Sequence, residues 1–414
     1  MERVIVALYY IMFFVTLIYG TYFTLSGYIG IMKKSKANIK KAEKFNHFAI
    51  LVPARNEAKV ISNLIESLKN QNYPKDKYDI YVIPNNCTDD TEGVAKKAGA
   101  KTIKCTVPTK TKGDVLKFVF EKFSGKKGAN IDAYIIFDAD NLVHPDFISH
   151  MNDALESGYN VAQGFRDAKN PSDNWISGSY ALFYLLQNIF FNKARMSLNG
   201  AASINGTGFM ISKALVEKHG FETYTLTEDV EYSGQCALRG EKIAFVEEAV
   251  TYDEYPVSFR QSWTQRRRWS AGNIECMKRY TPNLIKTAIK TKNVHCLDMG
   301  LTYMGPVIQI LGFANMGMLI ILSLAGIELN DIFSYMFNYG IAFMLFTYIL
   351  GLLVEIFALL YKNKKIAPVM SGILLFPVFF FTWIPINITC FIKKQVKWEE
   401  IKHERSIAIN DVLE

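Results

Sequence analysis

The residues best suited to chemistry are two aspartates, Asp138 and Asp140, which stand two positions apart directly after the apolar run 134–137. Hard divalent cations such as Mg²⁺ and Mn²⁺ take carboxylate and diphosphate oxygens as ligands. A cation held by this pair would neutralise a nucleoside diphosphate as it leaves. The alternative, a solvated acidic loop, is weaker because the pair ends the apolar run abruptly.

A second candidate loop runs from Pro53 to Glu57, directly after the first apolar strand pattern. Proline is expected to end the strand, and the acidic Glu57 is expected to open a helix. A plain strand-to-helix turn with a good cap would explain the same residues. This loop therefore indicates a binding site only in combination with other motifs.

The elements that must position these loops alternate between strand and helix patterns. The predicted strands are His47–Pro53, Asp79–Pro84, Lys101–Cys105 and Ala133–Asp138, and the predicted helices are Glu57–Asn70, Thr88–Ala98, Asp114–Phe123 and Pro145–Ser157. This alternation predicts an α/β domain with a parallel sheet, in which ligands bind outside the carboxyl ends of the strands. The two commonest nucleotide-binding glycine loops are missing from the sequence.

Two further motifs follow the aspartate pair in a fixed order. Thr-Glu-Asp at 227–229 comes about 90 residues later, and Gln-Arg-Arg-Arg-Trp at 265–269 comes about 35 residues after that. The ordered set resembles the family 2 glycosyltransferases with the α/β, Rossmann-like GT-A fold, especially the membrane synthases of cellulose, hyaluronan and poly-N-acetylglucosamine. The resemblance covers about residues 47–280, and the flanking apolar segments agree with the same layout.

The resemblance implies a nucleotide-sugar donor, Mg²⁺ or Mn²⁺ as cofactor, and an inverting transfer. Asp229, with Glu228 beside it, would be the catalytic base that takes the proton of the acceptor hydroxyl. The residues implied to bind the donor are Pro53, Ala54, Arg55, Glu57, Asn85, Lys112, Gly113 and Asp138, and those implied to hold the metal are Asp138 and Asp140. The residues implied to bind the acceptor or close over the site are Gln163, Gly206, Thr207, Gln265, Arg268 and Trp269.

Two points leave alternatives open. Asn85 stands where the family usually has an aspartate. An amide can hydrogen-bond a uracil edge but brings no negative charge. UDP remains the expected nucleotide, but the residue at position 85 supports it less than an aspartate would. A basic amphipathic helix on lipid headgroups would explain Arg266 and Arg267, but not the family match at the other three positions of 265–269.

Composition separates a charged middle from apolar ends. Half of the 414 residues are hydrophobic and 21% are charged. Each of four uncharged stretches exceeds the roughly 20 residues needed to cross a bilayer core; they are Val4–Met32, Met299–Ile327, Ile332–Val354 and Ile366–Ile392. A signal peptide is the alternative for the first stretch, but that stretch is too long and no small-x-small cleavage site follows it.

The net charge of +8 could suggest a nucleic-acid partner, but the basic residues cluster beside the apolar stretches, at 33–44, 266–268, 362–365 and 393–405. This distribution is typical of the positive-inside rule at anionic lipid, so membrane lipid is the expected partner and nucleic acid is not. The six dispersed cysteines have no metal-ligand spacing and are expected to be free thiols in a reducing cytoplasm.

The sequence thus predicts a multi-pass protein of the plasma membrane with a cytoplasmic catalytic domain. Its parts are a membrane helix (1–34), a GT-A domain (45–255), interfacial helices (256–297), a C-terminal membrane region (298–395) and a cytoplasmic tail (396–414). Three membrane crossings after a cytoplasmic catalytic domain would place the basic cluster 393–405 outside the cell, which contradicts the positive-inside rule. Prolines in the last stretch suggest a re-entrant or interfacial helix pair instead, and the helix count stays open.

The leading functional hypothesis is a processive synthase that extends a polysaccharide and passes it across the membrane. The alternative is transfer of a single sugar to a membrane lipid, which would make a glycolipid. A transporter or channel with a regulatory domain is the third hypothesis, and it would need neither metal-binding carboxylates nor a base. The acceptor is accordingly a saccharide or a lipid-linked molecule, and the sequence names no partner subunit.

Overall fold

An eight-stranded mixed sheet forms the centre of the molecule in the computed structural model, which describes residues 2–33, 38–327, 340–392 and 405–413. The strands are, in chain order, β1 (Phe48–Ala54), β2 (Tyr78–Pro84), β3 (Lys101–Thr102), β4 (Ala133–Ile136), β5 (Leu142–Val143), β6 (Val161–Ala168), β7 (Phe209–Ser212) and β8 (Ile243–Asp253). Their order across the sheet is β3-β2-β1-β4-β7-β6-β8-β5.

Helices connect and flank these strands. They are α2 (Ile61–Lys69), α3 (Thr91–Lys97), α4 (Lys112–Lys122), α5 (Phe147–Glu156), α6 (Trp175–Leu186), α7 (Ala194–Ser197), α8 (Lys213–His219) and α9 (Glu228–Arg239). A π-helical segment, Gln187–Lys193, joins α6 to α7.

The prediction of a parallel sheet is correct for β1 to β4 and wrong for the sheet as a whole. β1 pairs in parallel with β2 and β4, whereas β7 runs antiparallel beside β4, with Phe209 opposite Ile136. β7 therefore starts at the edge of the sheet where β4 ends. This reversal brings the loop before β7 next to the loop after β4, where the aspartate pair lies.

Element boundaries differ from the predicted ones at the loops that matter. β4 ends at Ile136 rather than Asp138, and β3 has only two residues. α2 begins at Ile61, so Glu57 lies in the preceding turn and does not open the helix. In this turn Asn56 has a positive φ of 58°, a conformation that asparagine tolerates and a helix excludes.

The core forms between the buried strands of the sheet and the apolar faces of the helices that cover it. Every residue of β1 from Phe48 to Val52 is fully buried, as expected for a central parallel strand covered on both faces. α2 buries Ile61, Leu64, Ile65 and Leu68, which follow the three- and four-residue spacing of one helix face. The sheet edge that carries the site is therefore held on a rigid base.

Among the residues that the structure describes, four segments are long and apolar enough to cross a membrane. They are α1 (Glu2–Met32), α12 (Gly305–Leu324), α13 (Gly340–Tyr361) and the run that contains α14 (Met370–Phe381) and α15 (Trp383–Ile392). The stretch predicted at Met299–Ile327 is divided, because a preceding helix ends at Tyr303 and α12 starts at Gly305. Residues 328–339 and 393–404 lie outside the described ranges, and with them parts of the predicted third stretch and of the last basic cluster.

Two further helices connect the sheet domain to the apolar segments. They are α10 (Phe259–Thr291) and α11 (Val294–Tyr303), and a short α16 (Asn410–Leu413) lies near the C-terminal end. α10 packs against α9, α11 and α15, so the segment 265–269 faces the protein on several sides.

The alternative assignment of Arg266 to lipid headgroups is wrong. Arg266 is fully buried and donates through Nη1 to Phe379 O at 2.8 Å and to Thr382 Oγ1 at 2.7 Å. Its guanidinium also lies 4.2 Å from the centre of the Phe379 ring. These contacts are made at the C-terminal end of α14, where helix carbonyls have no partner within the helix.

Candidate active site

The aspartate pair lies at the carboxyl end of β4 and is held by a lysine from a neighbouring helix. Lys112 Nζ donates to Asp138 Oδ1 at 2.5 Å and to Gly206 O at 2.7 Å. The N–H of Asp138 donates to Thr207 Oγ1 at 2.9 Å. Three motifs that are distant in sequence, 112–113, 138–140 and 205–208, therefore converge here.

Local sequence explains how these groups are positioned. Lys112 is the first residue of α4, which begins with a capping box formed by Thr111 and Asp114. Gly208 has a φ of 61°, and a Cβ on it would lie 2.3 Å from Thr251 Cγ2, so a larger residue would push the loop away from β8. The glycine thus keeps the loop before β7 close to the aspartates.

A buried ion pair lies next to the aspartate pair. Arg166 pairs through Nε with Asp253, and its Nη1 donates to Tyr184 Oη at 2.8 Å and to Asn205 O at 2.6 Å. Burial raises the pKa of Asp253, the Arg166 charge opposes the shift, and the nearby Asp140 adds to it. Negative charge is therefore concentrated where the loop after β4 meets the end of β8.

The acidic pair Glu228 and Asp229 lies at the start of α9, facing the same region. Burial, with the charge of Asp229 adding to it, raises the pKa of Glu228 to about 7. Burial also raises the pKa of Asp229, against the opposing charges of Lys112, Arg166 and Arg268. A Cβ on Gly206 would lie 3.4 Å from Asp229 Oδ2, so this carboxylate lies directly beside the loop that Lys112 holds.

α10 brings the segment 265–269 onto this acidic pair. A Cβ on Gly272 would lie 2.4 Å from Thr227 Oγ1, so α10 approaches the start of α9 as closely as a glycine allows. Trp269 is half-buried, with its ring edge-on to Tyr180 at 5.9 Å and to Tyr184 at 6.2 Å between ring centres. Its indole contacts the protein interior.

Two adjoining cavities open onto these residues, and they share Lys112, Asp138, Arg166, Gln265 and Arg268. The smaller, of about 190 Å³, is here called the donor cavity. Its other lining residues from the predicted set are Pro53, Ala54, Arg55, Glu57, Asn85 and Asp140. The larger, of about 400 Å³, is here called the acceptor cavity. Its other lining residues from the predicted set are Gly206, Glu228, Asp229 and Trp269.

Three predicted site residues support the cavities from behind instead of lining them. Gly113 packs against Thr223, where a Cβ would lie 2.2 Å from Thr223 Oγ1. Gln163 is fully buried; its Nε2 donates to Thr207 O at 2.9 Å and its Oε1 accepts from Asn205 N–H at 2.9 Å. Thr207 is buried as well, so both residues shape the loop before β7.

Several residues that contribute to the site were not identified from the sequence. Arg166 lines both cavities, and Glu254 lines the donor cavity and donates its N–H to Asp140 Oδ2 at 3.3 Å. Both lie at or just after the ends of strands that pair with each other, β6 and β8. The signal that could have found them is a charged residue leaving a buried strand at the carboxyl edge of the sheet.

The residues present fit a divalent cation bound together with a diphosphate. No cluster of three His, Cys, Asp or Glu side chains able to hold a metal exists within the described ranges. Asp138 and Asp140 supply two hard oxygen ligands, fewer than a cation needs, and diphosphate oxygens are the usual complement.

Residues 46–272, more than half of the chain, match the model of the family described as "Glycosyltransferase like family 2". The chain therefore belongs to this family. It is similar to "Probable glycosyltransferase YdaM" of Bacillus subtilis (strain 168), with 28% identity over 275 residues, which are 63% of this chain and 62% of that protein. It is also similar to "Beta-monoglucosyldiacylglycerol synthase" of Nostoc sp., with 27% identity over 255 residues, 59% of this chain and 52% of that protein.

The chain spans between about half and three fifths of the length of these curated relatives. Among solved structures it is similar to the mannosyltransferase PcManGT from Pyrobaculum calidifontis in complex with GDP-Man and Mn²⁺. The TM-score is 0.62 at 17% identity, over 95% of this chain and 98% of that one. This similarity confirms the predicted GT-A fold.

Proposed function

We propose that the protein transfers a single sugar from a nucleotide-sugar donor to a hydroxyl group of a membrane lipid, with inversion at the anomeric carbon. The observation that carries the proposal is the set of residues that line the acceptor cavity. This cavity is lined both by Asp229 and by Pro306, Phe380 and Trp383 of the apolar helices α12, α14 and α15. A lipid headgroup could reach Asp229 while its chains stay among apolar residues.

The donor cavity supplies the groups that a nucleoside diphosphate needs. Lys112 and Arg268 bring positive charge to the diphosphate, as charge-assisted hydrogen bonds require. Asn85 is fixed by Thr109, whose hydroxyl donates to Asn85 Oδ1 at 2.7 Å. The remaining N–H donors of this amide can pair with a nucleobase carbonyl, and UDP is the nucleotide we expect.

Asp229 is the proposed base. Its raised pKa makes it a stronger proton acceptor than an ordinary aspartate, which suits removal of a proton from an alcohol. Asp138 and Asp140 would hold Mg²⁺ or Mn²⁺, which supplies neutralisation of the leaving diphosphate when bound. Lys112 contributes to the same neutralisation through a side chain that is already held in place.

The relatives favour a lipid acceptor over polysaccharide extension. Matched proteins from Nostoc sp., Trichormus variabilis and Synechocystis sp. bear the name beta-monoglucosyldiacylglycerol synthase. The apolar helices support a membrane location with several crossings, and basic residues such as Lys40 and Lys41 near the end of α1 favour a cytoplasmic catalytic domain.

The deciding experiment sizes the product. Purified protein in lipid nanodiscs is incubated with a panel of radiolabelled UDP- and GDP-sugars and Mg²⁺ or Mn²⁺, with a parallel sample in EDTA. We expect a cation-dependent product that extracts into organic solvent and is one sugar heavier than a lipid. A water-soluble or size-heterogeneous polymer would instead favour the processive synthase, and full activity in EDTA would contradict the metal assignment.

A further inference from the structure

We propose that Gln309 and Asn387 form a binding site for an uncharged hydroxyl group on the acceptor, and that the enzyme thereby selects a neutral polyol lipid over a lipid phosphate. This inference rests on the proposed function and names the chemistry of its acceptor. Both residues lie on apolar helices, α12 and α15, and both line the acceptor cavity.

The two side chains form one hydrogen bond and leave one buried atom without a partner. Asn387 is 1% exposed, and its Nδ2 donates to Gln309 Oε1 at 2.7 Å. Asn387 Oδ1 is buried and has no partner among the described residues. A buried polar group without a partner destabilises the fold, because it has lost its hydrogen bonds to water. An acceptor hydroxyl that donates to Asn387 Oδ1 would remove this cost on binding.

A second amide pair lines the same cavity on the side of the sheet domain. Gln187 Nε2 donates to Asn205 Oδ1 at 3.2 Å, while Gln187 Oε1 and Asn205 Nδ2 are buried without partners among the described residues. This pair therefore offers one acceptor and one donor atom. A hydroxyl group both donates and accepts, so paired amides match a molecule that carries several hydroxyl groups.

The distribution of charge excludes the membrane-side amides as a phosphate site. The described cationic residues of the acceptor cavity are Lys112, Arg166 and Arg268, and all three also line the donor cavity. The described residues that α12, α14 and α15 contribute are Gly305, Pro306, Gln309, Phe380, Trp383 and Asn387, which are all uncharged. A phosphate bound among them would be buried without the arginine or lysine that such sites use.

Helix packing is the competing explanation, because amides on membrane helices also join helices to one another. The chain offers a matched control. Asn315 lies on α12 like Gln309, is 8% exposed, and has a buried Oδ1 without a partner among the described residues, but it does not line the acceptor cavity. A purely structural role for buried amides predicts the same result at Asn315 and Asn387.

The test compares Asn387→Leu, Gln309→Met and Asn315→Leu with the wild-type protein in nanodiscs. The neutral polyol acceptor is monooleoylglycerol, which has a second hydroxyl group besides the one that meets Asp229, and the anionic acceptor is undecaprenyl phosphate. We expect Asn387→Leu to raise the KM for monooleoylglycerol about tenfold, as loss of one buried hydrogen bond implies, with the KM for donor unchanged. Gln309→Met should raise it less, and Asn315→Leu should leave it unchanged.

A binding measurement separates this inference from the proposed function. Monooleoylglycerol should raise the unfolding temperature of the wild type and of Asn315→Leu, but not of Asn387→Leu. Equal effects of Asn387→Leu and Asn315→Leu, or preferred transfer to undecaprenyl phosphate, would overturn the inference. Selective loss of binding in Asn387→Leu without any lipid product in the wild type would overturn the proposed function and leave the binding site standing. If Asn387→Leu does not fold, Gln309→Met decides by the same two measurements.

Discussion

At the scale of single residues, the acidic pair at the start of α9 carries the chemistry that we propose. Glu228 and Asp229 are adjacent in sequence, lie in a shared buried environment, and face Lys112, Arg166 and Arg268. Both line the acceptor cavity, but Asp229 Oδ2 lies beside Gly206, whereas a Cβ on Gly113 would lie 3.2 Å from Glu228 Cβ, so the start of the Glu228 side chain packs against α4. The aspartate is therefore the better placed of the two to meet an acceptor hydroxyl.

Replacing Asp229 with asparagine should abolish transfer while donor binding is retained. The amide keeps the size of the side chain but cannot accept the proton, so kcat should fall by on the order of 10²–10⁴-fold. Donor affinity, measured by calorimetry with the unlabelled nucleotide sugar, should change little because the donor-binding groups remain. Turnover close to that of the wild type would remove Asp229 from the mechanism.

The raised pKa values predict where activity is lost in acid. A base must be deprotonated, and a raised pKa means that protonation occurs at a higher pH than the ordinary carboxyl range near 4. Since burial raises the pKa of Asp229 and brings that of Glu228 to about 7, the acid limb of the kcat–pH profile should lie clearly above the ordinary carboxyl range near 4. Glu228→Gln removes a neighbouring negative charge and should move this limb to lower pH. An acid limb near pH 4 in the wild type would contradict the assignment.

Sequence reasoning singled out Asp138 and Asp140 because the pair ends an apolar run abruptly, and it found the motif 227–229 through the family resemblance. It missed the residues that surround them for a physical reason. Arg166 and Asp253 belong to strands that meet only through long-range pairing between β6 and β8. Their ion pair has no signature in local spacing. Local spacing also gives no sign of the position of Gln163. The resemblance assigned this residue to the acceptor side, but it holds the loop before β7 from within the core.

At the scale of elements, the sequence predicted most of the sheet up to β4 and failed where tertiary packing decides. The antiparallel β7 is only four residues long and has no distinctive pattern of its own. The basic run in α10 looked like a lipid-facing helix because its charges are consecutive. Arg266 is nevertheless buried, because the end of α14 presents carbonyl and hydroxyl oxygens to it.

Arg266→Leu should therefore loosen the contact between α10 and α14. The leucine is apolar enough for the buried site but leaves Phe379 O without its charged donor, a loss of about 2 kcal/mol. We expect a lower unfolding temperature in detergent and reduced activity. Arg260→Ala, at an exposed position on the same helix, is the control and should behave like the wild type. Equal unfolding temperatures for the two variants would contradict the buried role.

Trp269→Phe tests whether α10 positions the acceptor. Phenylalanine preserves apolar character but loses the indole N–H and part of the ring area that lines the acceptor cavity. Turnover should fall at least about tenfold at equal amounts of folded protein. Trp263→Phe is the matched control, since Trp263 lies on the same helix against Phe259 and lines neither cavity. Near-normal turnover of Trp269→Phe would instead indicate that the segment 265–269 is a helix that lies on lipid headgroups.

At the scale of the whole molecule, the sequence left open how many times the chain crosses the membrane after the predicted catalytic domain. Contacts with that domain mark which helix ends lie on its side of the membrane. Lys362 Nζ lies 3.1 Å from Glu247 and Lys364 Nζ lies 2.5 Å from Asp167, so the end of α13 returns to the domain. The far end of α12 packs instead against the start of α1, where Leu322 and Tyr9 share a cluster.

The last apolar run contacts the domain at both ends. It starts just after Lys364 and finishes near Cys390, whose Sγ donates to Arg267 O at 3.5 Å. α14 and α15 have 12 and 10 residues, about 18 Å and 15 Å of helix, each too short for a bilayer core of about 30 Å. The N–H of Arg405 then donates to Glu254 Oε2 at 3.2 Å, on the domain itself.

We therefore expect three crossings, by α1, α12 and α13, with α14 and α15 as a pair that enters the interface and does not cross. Ala325 and Ala408 are both exposed alanines, one after α12 and one near the C-terminal end, so Ala325→Cys and Ala408→Cys form a matched pair. In intact cells a membrane-impermeant thiol reagent should label Ala325→Cys and should label neither Ala408→Cys nor the six native cysteines, which would all lie on the cytoplasmic side. After permeabilisation Ala408→Cys should react as well. Labelling of Ala408→Cys in intact cells would require a fourth crossing and would separate the tail from the catalytic domain that it contacts.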